Sequence, residues 1–220
     1  MMTGRSRTYY LAVAYVMVLP LGAVALEQSV QSRTVRTGLA FLIIVVGAVA
    51  LPFALPILPV RTFVRYQAAL GQEPRTEEHH QMGALPQHYA DMFGWPEMVG
   101  LVHKAYLRLT PDERAHCRIF GQNYGEAGAV DVLGRKLGLP PAISGHNSYW
   151  LWGPGQGEVD VVIIIGGDRA DNARYFEQIE IVGQTSSPWS MPYERGLDVS
   201  IARRPRVDLH EIWPQLRHYI

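Results

Sequence analysis

The sequence predicts an α/β protein in which an N-terminal transmembrane helical hairpin precedes a small α/β sandwich with a sheet of about five strands. Three observations lead there. Two uncharged apolar stretches, 8–26 and 37–60, open the chain, and each is near the about 20 residues that a helix needs to cross a hydrocarbon layer about 30 Å thick. A nearly continuous apolar run at 159–165 ends in Gly166, Gly167 and Asp168 and leads into a helical segment, which is how a buried strand of an α/β layer reads. Beyond Arg61, charges, turn residues and mixed helix and strand periods replace the apolar runs.

Averages over the whole chain conceal that division. The 220 residues carry 20 Lys+Arg against 20 Asp+Glu, for a formal net charge of zero at pH 7. No basic footprint for nucleic acid follows from such a balance, so a nucleic-acid partner is not expected. With the anchor set aside, about 160 residues remain, enough for one core and too few to demand two. The organisation is therefore two transmembrane helices in 1–60, a connector in 61–92 and a soluble α/β domain in 93–220. The single cysteine, Cys117, excludes an internal disulfide and a Cys-rich zinc site, and in a short apolar strand it serves as a small core residue.

Arg5 and Arg7 before an apolar run that ends in Ala23, Val24 and Ala25 imitate a secretory signal. That run is longer than the roughly 7–15 residues of a signal core. A second run follows after a short loop with Arg33 and Arg36, so a helical hairpin is the simpler reading. Pro20, Pro52, Pro56 and Pro59 lie in or near the spans, tolerable where neighbouring helices satisfy the freed backbone groups, which implies partner helices. The arginines of the tail, the loop and the exit (Arg61, Arg65) slightly favour both ends in the cytoplasm.

From 67 to 92 the chain is rich in Pro, Gly, Gln and charge and reads as an irregular connector. Glu77, Glu78, His79, His80, His88 and Asp91 fall here, but their spacing matches no standard metal motif, and no metal site is expected. Trp95, Met98, Val99, Val102, Tyr106 and Leu109 keep a helical period in a helix starting near Pro96. Thr110, Pro111, Asp112 and Glu113 form a capping-box pattern that opens a short helix. A brief strand at 117–121 follows, and Asn123 with Glu126 caps a further helix expected to run to Leu137, with Arg135 and Lys136 in its last turn and Gly138 as its stop.

A strand-to-helix turn of this kind directs backbone amides outward, so Asn123, Tyr124 and Glu126 are candidates to hold an anionic or hydroxyl-rich ligand, although a simple helix cap uses the same residues. After Pro140 and Pro141, a short extended piece at 142–144 leads to the densest cluster of the chain, 145–153, with His146, Asn147, Tyr149, Trp150 and Trp152. Aromatic faces beside His and Asn donors suit a sugar or lipid head group, and they equally suit a structural plug or a membrane interface. A helix is expected from Arg169 to about Gln178, then strands at 179–182 and around Leu197, Val199 and Ile201. Leu209, Ile212, Trp213 and Leu216 make a closing helix. Between the last strands, Tyr193 and Glu194 sit on a loop that can join the face of Trp150. No GxGxxG fingerprint occurs, so dinucleotide binding is not inferred.

The runs QNYGEAGA at 122–129, GLPPAISGHNSYWLWGP at 138–154 and MPYE at 191–194 resemble the C-terminal domain of bacterial membrane glycosyltransferases of family 39, which are similar to protein O-mannosyltransferases and to the aminoarabinose transferase of lipid A. Arg7, Tyr9 and Tyr10 resemble the basic and Tyr-Tyr motif that opens a late transmembrane helix in that family, which makes them candidate lipid-binding residues. Val13 and Val16 depart from the proline that relatives often carry there. The resemblance implies a polyprenyl-phosphate sugar donor, a catalytic aspartate in an early extracytoplasmic loop, often with a divalent metal, and an extracytoplasmic C-terminal domain. The chain matches only the last two helices and that domain. The resemblance thus implies a missing N-terminal membrane region or subunit, no cofactor and no identified catalytic residue in this chain, and little activity from it alone. Membrane lipid is the other partner it implies. Two other functions remain open: a stand-alone anchored glycan-binding or accessory protein, and an anchored hydrolase using Glu126 with His146 as acid and base.

Overall fold

The computed structural model describes residues 12–74 and 81–219, and the chain divides into two compact units, Met1–His79 and His80–Ile220. Arg7, Tyr9 and Tyr10, together with Glu77, Glu78, His79 and His80, lie outside the described residues.

In the first unit, α1 (Ala12–Ser29) and α2 (Arg33–Ala54) are both long and apolar enough to cross a membrane, and almost none of their surface is buried. This is what supports membrane association. The second helix starts earlier than its apolar run because the Ser32 side chain accepts from the Val35 amide and caps the first turn. Arg36 accordingly lies inside the helix, donating to the carbonyls of Val30 (2.6 Å) and Glu27 (2.7 Å) across the tight connection. The helix also stops earlier than expected. Leu55 is extended at φ −126° and ψ 138°, the conformation that a following proline, Pro56, imposes on its predecessor. A third helix, α3 (Val60–Ala69), then occupies the start of the expected connector, so that segment is less irregular than its composition suggests.

In the second unit a short helix, α4 (Gln87–Ala90), again interrupts the connector and buries Tyr89 and Ala90. The order that follows is α5 (Trp95–Leu107), α6 (Pro111–Ala115), β1 (Cys117–Gly121), α7 (Tyr124–Leu133), β2 (Ala142–Ile143), α8 (Ser148–Trp152), β3 (Val161–Ile165), α9 (Arg169–Tyr175), β4 (Phe176–Gln184), β5 (Asp198–Pro205) and α10 (Leu209–Ile212). The five strands form one mixed sheet in the order β2-β1-β3-β5-β4, an α/β fold as expected. The first three are parallel, with Ile119 opposite Ala142 and Ile163, and β5 runs antiparallel to both β3 and β4.

Alternation sorts the side chains. Cys117 and Ile119 of β1, Val161, Ile163 and Ile165 of β3, and Val199 and Ile201 of β5 point to one face, where α5 covers them with Met98, Val99, Val102 and Ala105, and α7 with Ala127 and Val130. The other face carries a smaller cluster of Val162, Ile164 and Ala202 with Phe120, Phe176 and Ile179 packed against it. Central β3 is therefore buried along its whole length.

Several boundaries differ from the sequence reading, each for a local reason. The helix after Asp168 ends at Tyr175 rather than near Gln178, because β4 begins at Phe176 and pairs with β5 from there to Gln184, well beyond 179–182. The capped helix α7 ends at Leu133 and tightens into a 3-10 turn at Gly134–Leu137, where a Cβ on Gly134 would stand 2.8 Å from a Leu139 methyl. The closing helix likewise breaks, α10 giving way to a 3-10 turn at Trp213–Leu216 with Pro214 in its first turn. The Thr110–Glu113 capping box forms as read, and Glu113 adds a 2.6 Å bond from Arg203 of β5. Arg203 and Arg108 both bond Glu180 of β4, so one charge network ties α6 to the antiparallel strands and holds Glu113 and Glu180 below the usual carboxylate range.

Ile163→Ala, at the centre of the sheet with no exposed surface, should cost about 2–5 kcal/mol of stability, whereas Ile181→Ala on edge strand β4 should stay within about 1 kcal/mol. Thermal unfolding followed by near-UV circular dichroism distinguishes the two. Equal effects would mean that β3 is not the packed centre.

Candidate functional site

The three parallel strands end on one edge of the sheet, and the segments after them meet there. This is where open α/β sheets place their ligands. The loop after β1 supplies Gln122, Asn123 and Tyr124, that after β2 supplies Ser144, Gly145, His146 and Asn147, and that after β3 supplies Gly166 and Gly167. Gly167 has φ 77°, and a Cβ built on it would lie 2.6 Å from the Gln122 side-chain amide, so the Gln122 side chain itself occupies the crevice between β1 and β3.

Two polar clusters organise the edge. In the first, the Asn123 side-chain oxygen accepts from the Glu126 amide (2.9 Å), and a Glu126 carboxylate oxygen accepts from the Gln122 amide (2.6 Å). This is a reciprocal N-cap displaced by one residue from the usual box. The Asn123 side-chain amide then donates to both Glu126 and Glu194, at 3.1 Å each, and so bridges two carboxylates from distant segments. Glu126 is only 2% exposed, and burial together with the neighbouring Glu194 pushes its carboxyl up to about 8. Glu194 is raised as well, chiefly by burial and then by Asp91. Glu126 is thus held neutral at pH 7 beneath the helix terminus, and Glu194 is the member of the pair nearer to solvent.

The second cluster centres on His146, which is 3% exposed. Its Nδ1 accepts from the Tyr124 amide at 3.2 Å, which assigns the ring proton to Nε2, a buried group with no hydrogen-bond partner. Burial, and secondarily His218, pushes its pKa down, so the ring is neutral. Tyr124 packs its ring 5.0 Å away, and His218 stacks on the other side at 4.8 Å and 3°. Segment 216–218 is locked over this spot. The Asn147 amide donates to the His218 carbonyl, the His218 amide donates to the Gly145 carbonyl, and the ring nitrogens of His218 lie 2.9 Å from the Leu216 carbonyl and 3.0 Å from that of Gln122. Gly145 is required by this contact, since a Cβ there would sit 2.0 Å from the Leu216 carbonyl oxygen.

The candidate residues therefore separate. Asn123, Tyr124, Glu126, His146, Asn147 and Glu194 come together, and Tyr193 lies exposed beside Glu194. Trp150 is committed to scaffold: its indole N–H donates to the Trp213 carbonyl, the Trp213 indole N–H donates back to the Trp150 carbonyl, both at 3.0 Å, and Arg217 lies 4.4 Å over its ring. Tyr149 is anchored by a 2.7 Å bond to Asp131, which also accepts from the Ala142 amide and raises the phenol above its ordinary range along with burial. Trp152 is 69% exposed, on a short helix, with its ring edge-on to that of Tyr149. Asp131 and His218 escaped the sequence reading, because no spacing signal connects His146 with a histidine more than seventy residues on.

The surface rim offers hydroxyl, amide and one carboxylate group to a polar ligand, and its buried floor supplies neutral, fixed hydrogen-bonding groups. Among the described residues no group of three or more His, Cys, Asp or Glu side chains is placed to hold a metal ion. No family model, curated protein or solved structure matches the chain.

Because the folded chain holds the Glu126 proton up to about pH 8 while an unfolded glutamate releases it near 4.5, stability should fall as pH rises through that window. The contribution of this one group is at most about 1.4 kcal/mol per pH unit. Glu126→Gln should flatten the slope of unfolding free energy between those limits and leave stability below them little changed. An unaltered slope would show that Glu126 is ionised when folded.

Proposed function

We propose that this chain is the C-terminal portion of a polyprenyl-phosphate-sugar-dependent membrane glycosyltransferase, with its α/β domain outside the cytoplasm and assisting recognition on the acceptor or donor side. One observation carries the reading. The three segments that resemble the family, 122–129, 138–154 and 191–194, lie far apart in sequence, yet Asn123 bonds Glu194 and the Tyr124 amide bonds His146 at a single edge of the sheet. Such convergence is what a shared ligand surface requires, and Tyr124, Asn147, Tyr193 and Glu194 give it aromatic faces and hydroxyl-binding groups. Two apolar helices of bilayer length agree with a lipid-linked donor and a multi-pass membrane protein.

Chemistry is assigned elsewhere. Glu126 and His146 are both almost fully buried, His146 with the rings of Tyr124 and His218 packed against it, and neither reaches solvent as an acid or base. The hydrolase reading loses its two residues on this ground. Exposed Tyr124 and Tyr193 favour a second reading, an anchored glycan-binding accessory protein, since stacking faces bind sugars without any reaction.

Sugar transfer separates the two. The purified chain should move no sugar from a polyprenyl-phosphate donor, while native membranes that lose the chain should lose transfer and regain it when the chain is restored. Transfer that is unchanged without the chain would sink the transferase reading and leave the accessory one.

Topology has its own test. Cys117 is buried and its thiol is pushed up to about 12, so it stays silent to maleimides at neutral pH. Exposed Ala173 on α9, changed to cysteine, should react with an impermeant maleimide in intact cells. Reaction only after lysis would place the domain in the cytoplasm.

A further inference from the structure

Among the described residues, the most exposed large apolar side chains of the α/β unit are Val132 (72%) on α7 and Leu151 (69%) and Trp152 (69%) on α8. Helix α8 is fixed on α7 by the Tyr149 hydroxyl, which bonds Asp131 and lies 3.6 Å from where a Cβ on Gly128 would be. The Trp152 ring meets the Tyr149 ring edge-on at 4.5 Å. Val132 is one turn beyond Gly128 on the same side of α7, so the outer side of α8 and this stripe form a common surface. The 3-10 turn that extends α7 adds exposed Arg135, Lys136 and Leu137.

The exposed charges of this face, Arg135 and Lys136, have one sign, and the Asp131 carboxylate is half-buried beneath Tyr149. Of the acidic residues on α7, Glu126 is buried and neutral, and Asp131 has both oxygens engaged, by the Ala142 amide and the Tyr149 hydroxyl. Neither α8 nor the 3-10 turn carries an acid. A Leu-Trp pair rimmed by Arg and Lys is the composition favoured at a membrane interface, where indole sits at head-group depth and basic groups meet anionic lipid. The chain itself carries two helices of bilayer length, so lipid is the surface this domain always has at hand.

We propose that the α7–α8 face docks on the anionic head-group layer of a phospholipid bilayer, with Leu151 and Trp152 at the acyl boundary and Arg135 and Lys136 on lipid phosphates. The proposal rests on membrane attachment and is independent of sugar transfer. Docking of this kind fixes the height and tilt of the sheet edge above the membrane.

The test uses the full chain reconstituted in vesicles of phosphatidylcholine with or without phosphatidylglycerol. A polarity-sensitive fluorophore is placed on Leu151→Cys, which keeps Trp152, and on Ala173→Cys as a control; Cys117 stays unlabelled. Flotation reports the anchor, and the probe reports the docking. At position 151 emission should shift to the blue and be lost to nitroxide-bearing lipid, more strongly with phosphatidylglycerol, while position 173 stays aqueous. Arg135→Glu and Lys136→Glu, both on exposed side chains, should each weaken docking by about fivefold or more. Vesicles that float with position 151 as aqueous as 173 would overturn the docking alone. Crosslinking between copies at 151 without lipid quenching would overturn it in favour of a dimer, and a chain that does not float would remove the anchor and the docking together.

Discussion

Central strand β3 is buried on both faces, and that constraint organises the α/β unit. Val161, Ile163 and Ile165 need a helical layer on one side, which α5 and α7 supply, while Val162 and Ile164 need apolar partners on the other. A strand with no exposed residue cannot lie at an edge, so β1 and β5 must flank it, one parallel and one antiparallel. Once β1 is set in register with β3, its end at Gly121 is aligned with Ile165, and the loops that follow them are forced together. The polar cluster at this edge is thus a consequence of how the core is covered.

That edge is assembled from groups that stabilise the fold and from groups that are free to act. Asn123 exemplifies the first kind: one side chain closes the helix terminus and bridges the carboxyl groups of Glu126 and Glu194. His146 is comparable, since its one satisfied nitrogen takes an orphan amide of α7 and its ring stacks on that of His218. Tyr124 and Tyr193 lie exposed around this rigid floor, beside half-buried Glu194, which Asn123 holds. A rigid base with a polar aromatic rim is suited to recognition, where fixed geometry reduces the ordering cost of a bound ligand.

Much of this was legible in local pattern. The apolar runs of α1 and α2, the period of α5, the capping pairs Thr110–Glu113 and Asn123–Glu126, and buried β3 each follow from residues within one or two turns of each other. Element ends were less legible. Leu55 stops α2 because Pro56 follows it, which sequence does encode, but Tyr175 ends α9 because β5 offers a partner to Phe176, and that pairing is long-range. The two tryptophans of α8 look alike in sequence. Only Trp213, more than sixty residues on, makes Trp150 a scaffold residue and leaves Trp152 outside.

The sequence by itself determined the apolar helix pair, the α/β class and the capped helix starts, because these depend on composition, period and side chains that reach their own backbone. Tertiary structure decided which polar residues meet. The pairing of Asn123 with Glu194, the stacking of His146 on His218 and the neutral state of Glu126 all arise from groups brought together across the sheet edge and removed from water there. Desolvation and long-range contact are properties of the packed chain, and no local spacing carries them.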